Sequence, residues 1–181
     1  MSYFTHEQIE EIRQRLGLVP QEGVGKSNGC FDWEKAKENL IETDCGITLC
    51  RDDYIEGDKK HFTFGEALEI EKEAKKHGFR LPTVVEFEKL YAFYGLGEDG
   101  EDTIQRFIDE LGFTYAGYYD VTTLLNVGTD GYYWSSSIYD TYVSYVLLFD
   151  TSSVSPKGYG RKCFGRSVKF VYDEKLLEKG E

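Results

Sequence analysis

Three consecutive hydroxyls, Ser135, Ser136 and Ser137, are the first residues in this 181-residue chain that a catalytic reading must weigh. A serine nucleophile needs a base within hydrogen-bond reach. The histidines, His6, His61 and His77, lie far from the serines in sequence, and spacing gives no nucleophile–base pair. The hydroxyls read better as strand-edge and turn groups. Two glycine-rich segments hint at phosphate chemistry. Gly23-Val24-Gly25-Lys26-Ser27 has Pro20 where a phosphate loop needs its first glycine, and no buried strand leads in, so it reads as a linker. Gly95 to Gly100 satisfies GxGxxG literally, but Glu98 and Asp99 would repel a pyrophosphate and the glycines follow a helical pattern. Glu98, Asp99, Glu101 and Asp102 offer the oxygen ligands calcium requires, yet they match no calcium loop and read as a solvated acidic turn. Cys30, Cys45, Cys50 and Cys163 show no CxxC spacing and no clustering with histidine. They read as reduced thiols, with a bridge among the first three left open. No metal site, no cofactor and no enzymatic activity are expected.

Recognition chemistry is better represented. The segment from Tyr132 to Val171 interleaves a regular frame with Tyr, Asp, Val, Ser, Gly, Cys and Phe in no periodic order. Rigid aromatic area combined with small adaptable polar residues is the composition of antibody loops. The chain has 20 Glu, yet none occurs between Glu110 and Glu174, whereas ten of its 14 Tyr lie between Tyr115 and Tyr172. From Tyr132 to Tyr172, Lys157, Arg161, Lys162, Arg166 and Lys169 face only Asp140 and Asp150, so this segment is cationic inside a chain of net charge −12. The surface chemistry of this part differs from that of the rest.

The elements that must hold such a surface are legible from periodicity and caps. Thr5 with Gln8 opens a short amphipathic helix over residues 4 to 16, followed by a polar linker from Pro20 to Gly29. Its stripe of Ile9, Ile12 and Leu16 either packs on its own domain or serves attachment. Asp32 caps a helix carrying Trp33, Ala36 and Leu40, and Gly46 to Cys50 reads as a strand. Capping boxes at Thr63/Glu66 and Thr83/Glu86 open helices near 64–77 and 84–94, and another helix covers Thr103 to Leu111. Beyond Gly112 the period becomes two, with Tyr145, Leu147 and Phe149 predicted to face the core and Val146, Leu148 and Asp150 to face outward. Helices followed by strands predict an α+β domain. The organisation expected is an N-terminal helix and linker over 1–30, a binding domain over 31–173 and a polar tail over 174–181. Net charge −12 argues against nucleic acid as partner, and no apolar run approaches a membrane span. The charged N-terminus does not read as a secretory signal, so synthesis in the cytoplasm is expected.

Two motifs carry a family resemblance. Gly78-Phe79-Arg80-Leu81-Pro82-Thr83, followed by Glu86 and Phe87, resembles the G-x-R-L-P-T-x-x-E-[WF] signature of C-type-lectin-like domains of the formylglycine-generating-enzyme type. Tyr133-Trp134-Ser135-Ser136-Ser137 and Gly165-Arg166-Ser167-Val168-Lys169-Phe170-Val171 resemble the closing half of that fold. The frame of Trp134 to Ser137, Tyr145, Leu147, Phe149, Ser152, Val154, Pro156, Arg161, Gly165, Ser167 and Val168 looks most like the variable proteins of diversity-generating retroelements. These are related to the Fibrobacter-type major paralogous domains. The resemblance covers roughly residues 45 to 172.

In that family AAY codons are randomised to NNY, which cannot encode Glu, Gln, Lys, Met or Trp. Glu, Gln, Met and Trp are absent from 135–171, whereas Lys157 and Lys162 depart from the pattern. The resemblance implies a C-type-lectin-like fold, with helices packed on a twisted antiparallel sheet and the last strand lying centrally, near the domain's beginning. It implies randomised, ligand-binding positions at Tyr139, Asp140, Tyr142, Val143, Val146, Leu148, Asp150, Ser155, Gly158, Tyr159, Cys163 and Phe164. The implied function is a non-enzymatic receptor for a protein or glycan on a cell surface. Its N-terminal segment would attach it to a phage particle or a bacterial surface. The formylglycine-generating cysteine pair has no match, since Cys163 is the only cysteine after Cys50, and the calcium-lectin motifs Glu-Pro-Asn and Trp-Asn-Asp are absent. An undiversified adhesin or carbohydrate-binding module of the same superfamily is the second reading, and an enzyme on this fold the third.

Overall fold

A computed structural model describes residues 30–51, 55–56, 60–97 and 101–179. The predicted helix at 4–16, the glycines of 23–27 and the carboxylates Glu98 and Asp99 lie outside the described residues. Strand β1 (Cys30–Phe31) leads into α1 (Trp33–Glu38), where the Lys35 amide donates to the Asp32 cap at 3.0 Å. The helix is shorter than predicted. Asn39 leaves helical geometry and its side chain donates back to Lys35 O at 2.8 Å, so Leu40 begins β2 (Leu40–Glu42) instead of ending α1. Strands β3 (Thr48–Cys50) and β4 (Ile55–Glu56) follow.

Next come α2 (Phe64–Ala74), a 3-10 turn (Lys75–His77), β5 (Phe79–Arg80) and α3 (Val84–Phe93). Both predicted capping boxes form, at Thr63/Glu66 and Thr83/Glu86, each satisfying two otherwise orphaned amides. Gly78 stops the first helix at φ 86, a left-handed conformation that residues with a Cβ rarely adopt. Then α4 (Glu101–Leu111) precedes the ribbon β6 (Tyr118–Asp120) and β7 (Thr123–Leu125). The chain closes with β8 (Gly131–Ile138), β9 (Val143–Phe149), β10 (Val154–Arg161), β11 (Val171–Tyr172) and a 3-10 turn (Glu174–Lys179).

All named strand pairs are antiparallel, so the fold is α+β. One sheet has the order β2-β3-β11-β5 and another the order β10-β9-β8. The last strand therefore lies centrally, beside β3 from the start of the domain. The stretch before it stitches the sheets together. Arg166 exchanges backbone hydrogen bonds with Phe62, Gly165 does so with Tyr119, and the Trp134 amide donates to Ser167 O at 3.0 Å.

Two buried clusters flank the β8–β9 hairpin. One gathers Leu49, Phe87, Phe107, Phe113, Tyr133, Leu147 and Phe149; the other gathers Trp33, Phe62, Phe79, Trp134, Val146 and Phe170. Neighbours in sequence go to different clusters, Tyr133 and Leu147 to one, Trp134 and Val146 to the other. This is period-two alternation with both faces covered. Each cluster draws on residues before and after Gly112, so the chain is not divided into two cores there.

Candidate ligand-binding face

The two sequence motifs meet. Ser135 Oγ donates to Pro82 O at 3.0 Å, and the Ser136 amide donates to the same carbonyl at 2.8 Å. The Val84 amide, an orphan donor in the first turn of α3, donates to Ser137 Oγ at 3.0 Å. Ser136 Oγ also donates to Pro82 O at 3.3 Å, so all three serine side chains tie β8 to the Leu81-Pro82-Thr83 corner. Arg80 grips Glu86 through both oxygens, at 2.8 and 2.7 Å, and reaches Asp173 at 3.2 Å. Burial pushes the Glu86 carboxyl up, but the Arg80 guanidinium and the Thr83 amide outweigh it and hold the carboxyl below its ordinary range. Trp134, fully buried, donates its indole N–H to Phe62 O at 2.7 Å.

Beyond this locked end, β8, β9 and β10 carry the aromatic residues outward. Tyr142 is 70% exposed, Tyr159 59% and Tyr139 54%. The rings of Tyr139 and Tyr159 lie 4.6 Å apart, and Tyr145 touches both, at 5.5 and 5.6 Å. Tyr145 was predicted to be a core residue. It is half-buried instead, because it pairs with Tyr159 where the hairpin emerges from the core. The loop between β8 and β9 is shaped by Asp140, whose Oδ1 accepts from the Tyr142 and Val143 amides at 2.7 and 2.8 Å. Those amides, Val143 first, hold its carboxyl below the ordinary value. Lys162 ties the turn after β10 to this loop, its amide donating to Tyr142 O and its ammonium to Asp140 O. Val143 is half-buried and sits opposite Arg161. Cys163 is exposed and Phe164 half-buried in the same turn.

Five predicted positions stand elsewhere. Val146 is completely buried in the second cluster, because the expectation that only one face of β9 is covered fails. Gly158 is also buried, and a Cβ there would sit 3.1 Å from Leu148 Cβ and 3.2 Å from Val146 Cγ2. Leu148 is half-buried against the second cluster. Asp150 folds the β9–β10 turn by accepting from Ser152 and Ser153, and Ser155 is half-buried opposite Leu148. Val146 and Gly158 are scaffold, not surface.

Sequence reasoning missed one neighbourhood. Arg166, only 5% exposed, sits among the rings of Tyr132, Tyr118 and Trp134 at 4.8, 5.3 and 5.3 Å. Burial lowers its guanidinium to about 10. Phe164 stacks on Tyr118 at 5.9 Å, and Arg161 lies over Phe164 at 5.8 Å. A chain of contacts thus runs from the exposed Arg161 through Phe164 and Tyr118 to the buried Arg166. The excess of tyrosine after Tyr115 was its one sequence signal.

Among the described residues no three His, Cys, Asp or Glu side chains converge as a metal site would require. Cys45 and Cys163 are free thiols, and Cys50 is buried. A cleft of about 390 Å³ lies between the β2–β3 turn, the end of α3 and α4, where Tyr94 donates to Glu110 at 3.0 Å; it shares no residue with the tyrosine face. Among the described residues no helix is long and apolar enough to cross a membrane. No family model, curated protein or solved structure matches the chain.

Proposed function

We propose that this chain is a non-enzymatic ligand-binding protein of C-type-lectin-like fold. Its recognition face is the β8–β9 loop, the outward side of β10 and the turn after it, and its target is a protein or glycan on a cell surface. In this reading a retroelement diversifies that face, and the N-terminal segment attaches the protein to a phage particle or a bacterial surface. The observation that carries the proposal is the exposure of Tyr139, Tyr142 and Tyr159 around one end of the β8–β9–β10 sheet, whose middle holds the buried Trp134, Val146 and Leu147. Large aromatic side chains left outside a well-filled core are what an interface uses for its strongest contacts. The motif-to-motif hydrogen bonds at Pro82 hold the face rigid, so its residues can vary without loss of the fold.

The test is to probe protein and glycan arrays with the wild-type chain and with a Tyr139→Ala/Tyr142→Ala/Tyr159→Ala variant. Specific binding that the variant loses is expected; binding that survives the triple substitution unchanged overturns the assignment of the face. The undiversified reading, an adhesin or carbohydrate-binding module, draws support from Val146 and Gly158, whose burial tolerates little variation. A reverse transcriptase gene and a near-repeat of the codons for 134 to 168 in neighbouring DNA would separate the two; finding neither favours the undiversified one.

A further inference from the structure

Among the described residues, one buried polar group stands out, between Tyr118, Tyr132 and Trp134. The Nε and Nη1 atoms of Arg166 are buried and donate to no acceptor. The three surrounding rings do not remove that deficit. Ring faces stabilise the charge, whereas the N–H donors of a guanidinium radiate in its own plane and need acceptors there. A buried donor left unsatisfied carries a desolvation penalty, so such a group calls for an explanation. Gly160 lets the guanidinium pack directly against the backbone of β10, since a Cβ there would stand 2.5 Å from Nε.

We propose that Arg166 is the receptor for a carboxylate of the ligand, an Asp or Glu side chain of a protein partner, which enters when Phe164 and Tyr118 move aside. A carboxylate oxygen is the strong charged acceptor for a guanidinium N–H, and one placed in the guanidinium plane would satisfy either Nε or Nη1. Among the described residues no carboxylate pairs with Arg166. The approach is cationic: Arg161 is exposed on the outer side of Phe164, and Lys162 lies in the same turn. The cover is able to move. Phe164 belongs to a turn closed by its own amide to Arg161 O at 3.0 Å, so rotating its ring unpairs no strand. Tyr132, in contrast, is pinned by its hydroxyl to Asp130 at 2.8 Å and stays as the fixed wall. A protein partner is favoured because the surrounding face is aromatic with a cationic rim, the composition of a protein hot spot. This inference rests on the proposed recognition face and adds the chemical class of its ligand.

The experiment is NMR on the full chain labelled with nitrogen-15, following the arginine Nε–H resonances, with Arg166→Lys used to assign the signal. The probes are two blocked amino acids, acetyl-Glu-N-methylamide and acetyl-Gln-N-methylamide, at equal ionic strength. The Glu probe should move the Arg166 Nε–H downfield and saturate, with the Gln probe requiring at least about tenfold higher concentration. Phe164→Ala should lower the half-saturating concentration of the Glu probe by about three- to tenfold, the worth of one aromatic pair. If Arg166→Lys does not fold, the Phe164→Ala comparison stands without it, with the signal assigned through the neighbouring backbone. An Nε–H that ignores the Glu probe in both proteins, or answers equally to the Gln probe and to sodium chloride, overturns the proposal. Array binding that still depends on the three tyrosines while Arg166 stays silent would sink this inference alone and leave the recognition face standing.

Discussion

Tyr142, Tyr159 and Phe149 lie on or beside the β8–β9–β10 sheet, and replacing each with alanine should have three different costs. Phe149 is fully buried, with rings of Phe113, Tyr115, Tyr133 and Phe107 around it at 5.7, 5.5, 6.0 and 6.4 Å. Its removal takes away apolar burial and leaves a cavity that the locked β8 cannot close, a loss of about 3 to 5 kcal/mol. Tyr159 is mostly exposed but has two ring partners, at 4.6 and 5.6 Å. A partly solvated aromatic pair is worth about 0.5 to 1.5 kcal/mol in all, and that is its expected cost. Tyr142 shows no ring partner among the described residues and contributes to the fold through its backbone, so its truncation should stay within about 0.5 kcal/mol. Urea unfolding of the full chain reads all three. For a chain of this size the losses correspond to roughly 6 to 20 °C for Phe149→Ala and less than about 2 °C for Tyr142→Ala. A Tyr142→Ala variant as unstable as Phe149→Ala would show that the ring is part of the core, and the argument for a face separable from its scaffold would fail.

Three further outcomes follow from particular contacts. Glu86→Gln should destabilise by about 2 kcal/mol at neutral pH, since it weakens a two-pronged charged pair and a capping box. Because the folded-state Glu86 carboxyl lies below its ordinary value, that stabilisation is complete above about pH 4.3 and is lost as pH falls through the lower folded value; urea melts of wild type and variant should converge in acid, and a constant gap would contradict the assignment. Gly160→Ala should cost about 1 to 3 kcal/mol, read by thermal melting, because its Cβ collides with Arg166 Nε; a neutral result would place the guanidinium elsewhere. Val121 holds φ at 50, a left-handed conformation that a β-branched residue adopts at a cost, so Val121→Asn should stabilise by about 1 kcal/mol; a loss would show that the valine side chain matters more than the strain.

What could be read from sequence was local. The caps at Thr63 and Thr83 were legible because both partners of a capping box lie within one turn, and Gly78 because only a left-handed residue ends the helix there. The hairpin's faces were not. Alternation over residues 143–149 says that two sides differ, but it cannot say whether the second side meets water or a second core. That core is assembled from Trp33, Phe62, Phe79 and Phe170, all more than 20 residues from Val146 in sequence, and they bury it completely. Tyr145 erred the other way, since the alternation that placed it inward does not report where the hairpin leaves the protein. Arg166 was hidden for a related reason: its surroundings come from Tyr118, Tyr132, Trp134 and Gly160, which are adjacent only after folding.

The position of the core along the hairpin then decides where variation is tolerable. From Phe149 back to Val146 both sides of β9 are largely closed; at Tyr145 and Val143 they are half-open; from Thr141 to Tyr139 the loop is exposed. On β10 the alternation is sharper, with Gly158 and Gly160 inward against Arg166 and Val146 while Lys157, Tyr159 and Arg161 point out. A side chain added at an inward glycine must displace a neighbour that is itself confined, whereas one exchanged at Tyr159 displaces only water and two flanking rings. Any process that diversifies this surface, by retroelement or by design, is therefore confined by packing to the loop, to every second residue of β10 and to the turn after it. The inward positions keep the residues that the core requires.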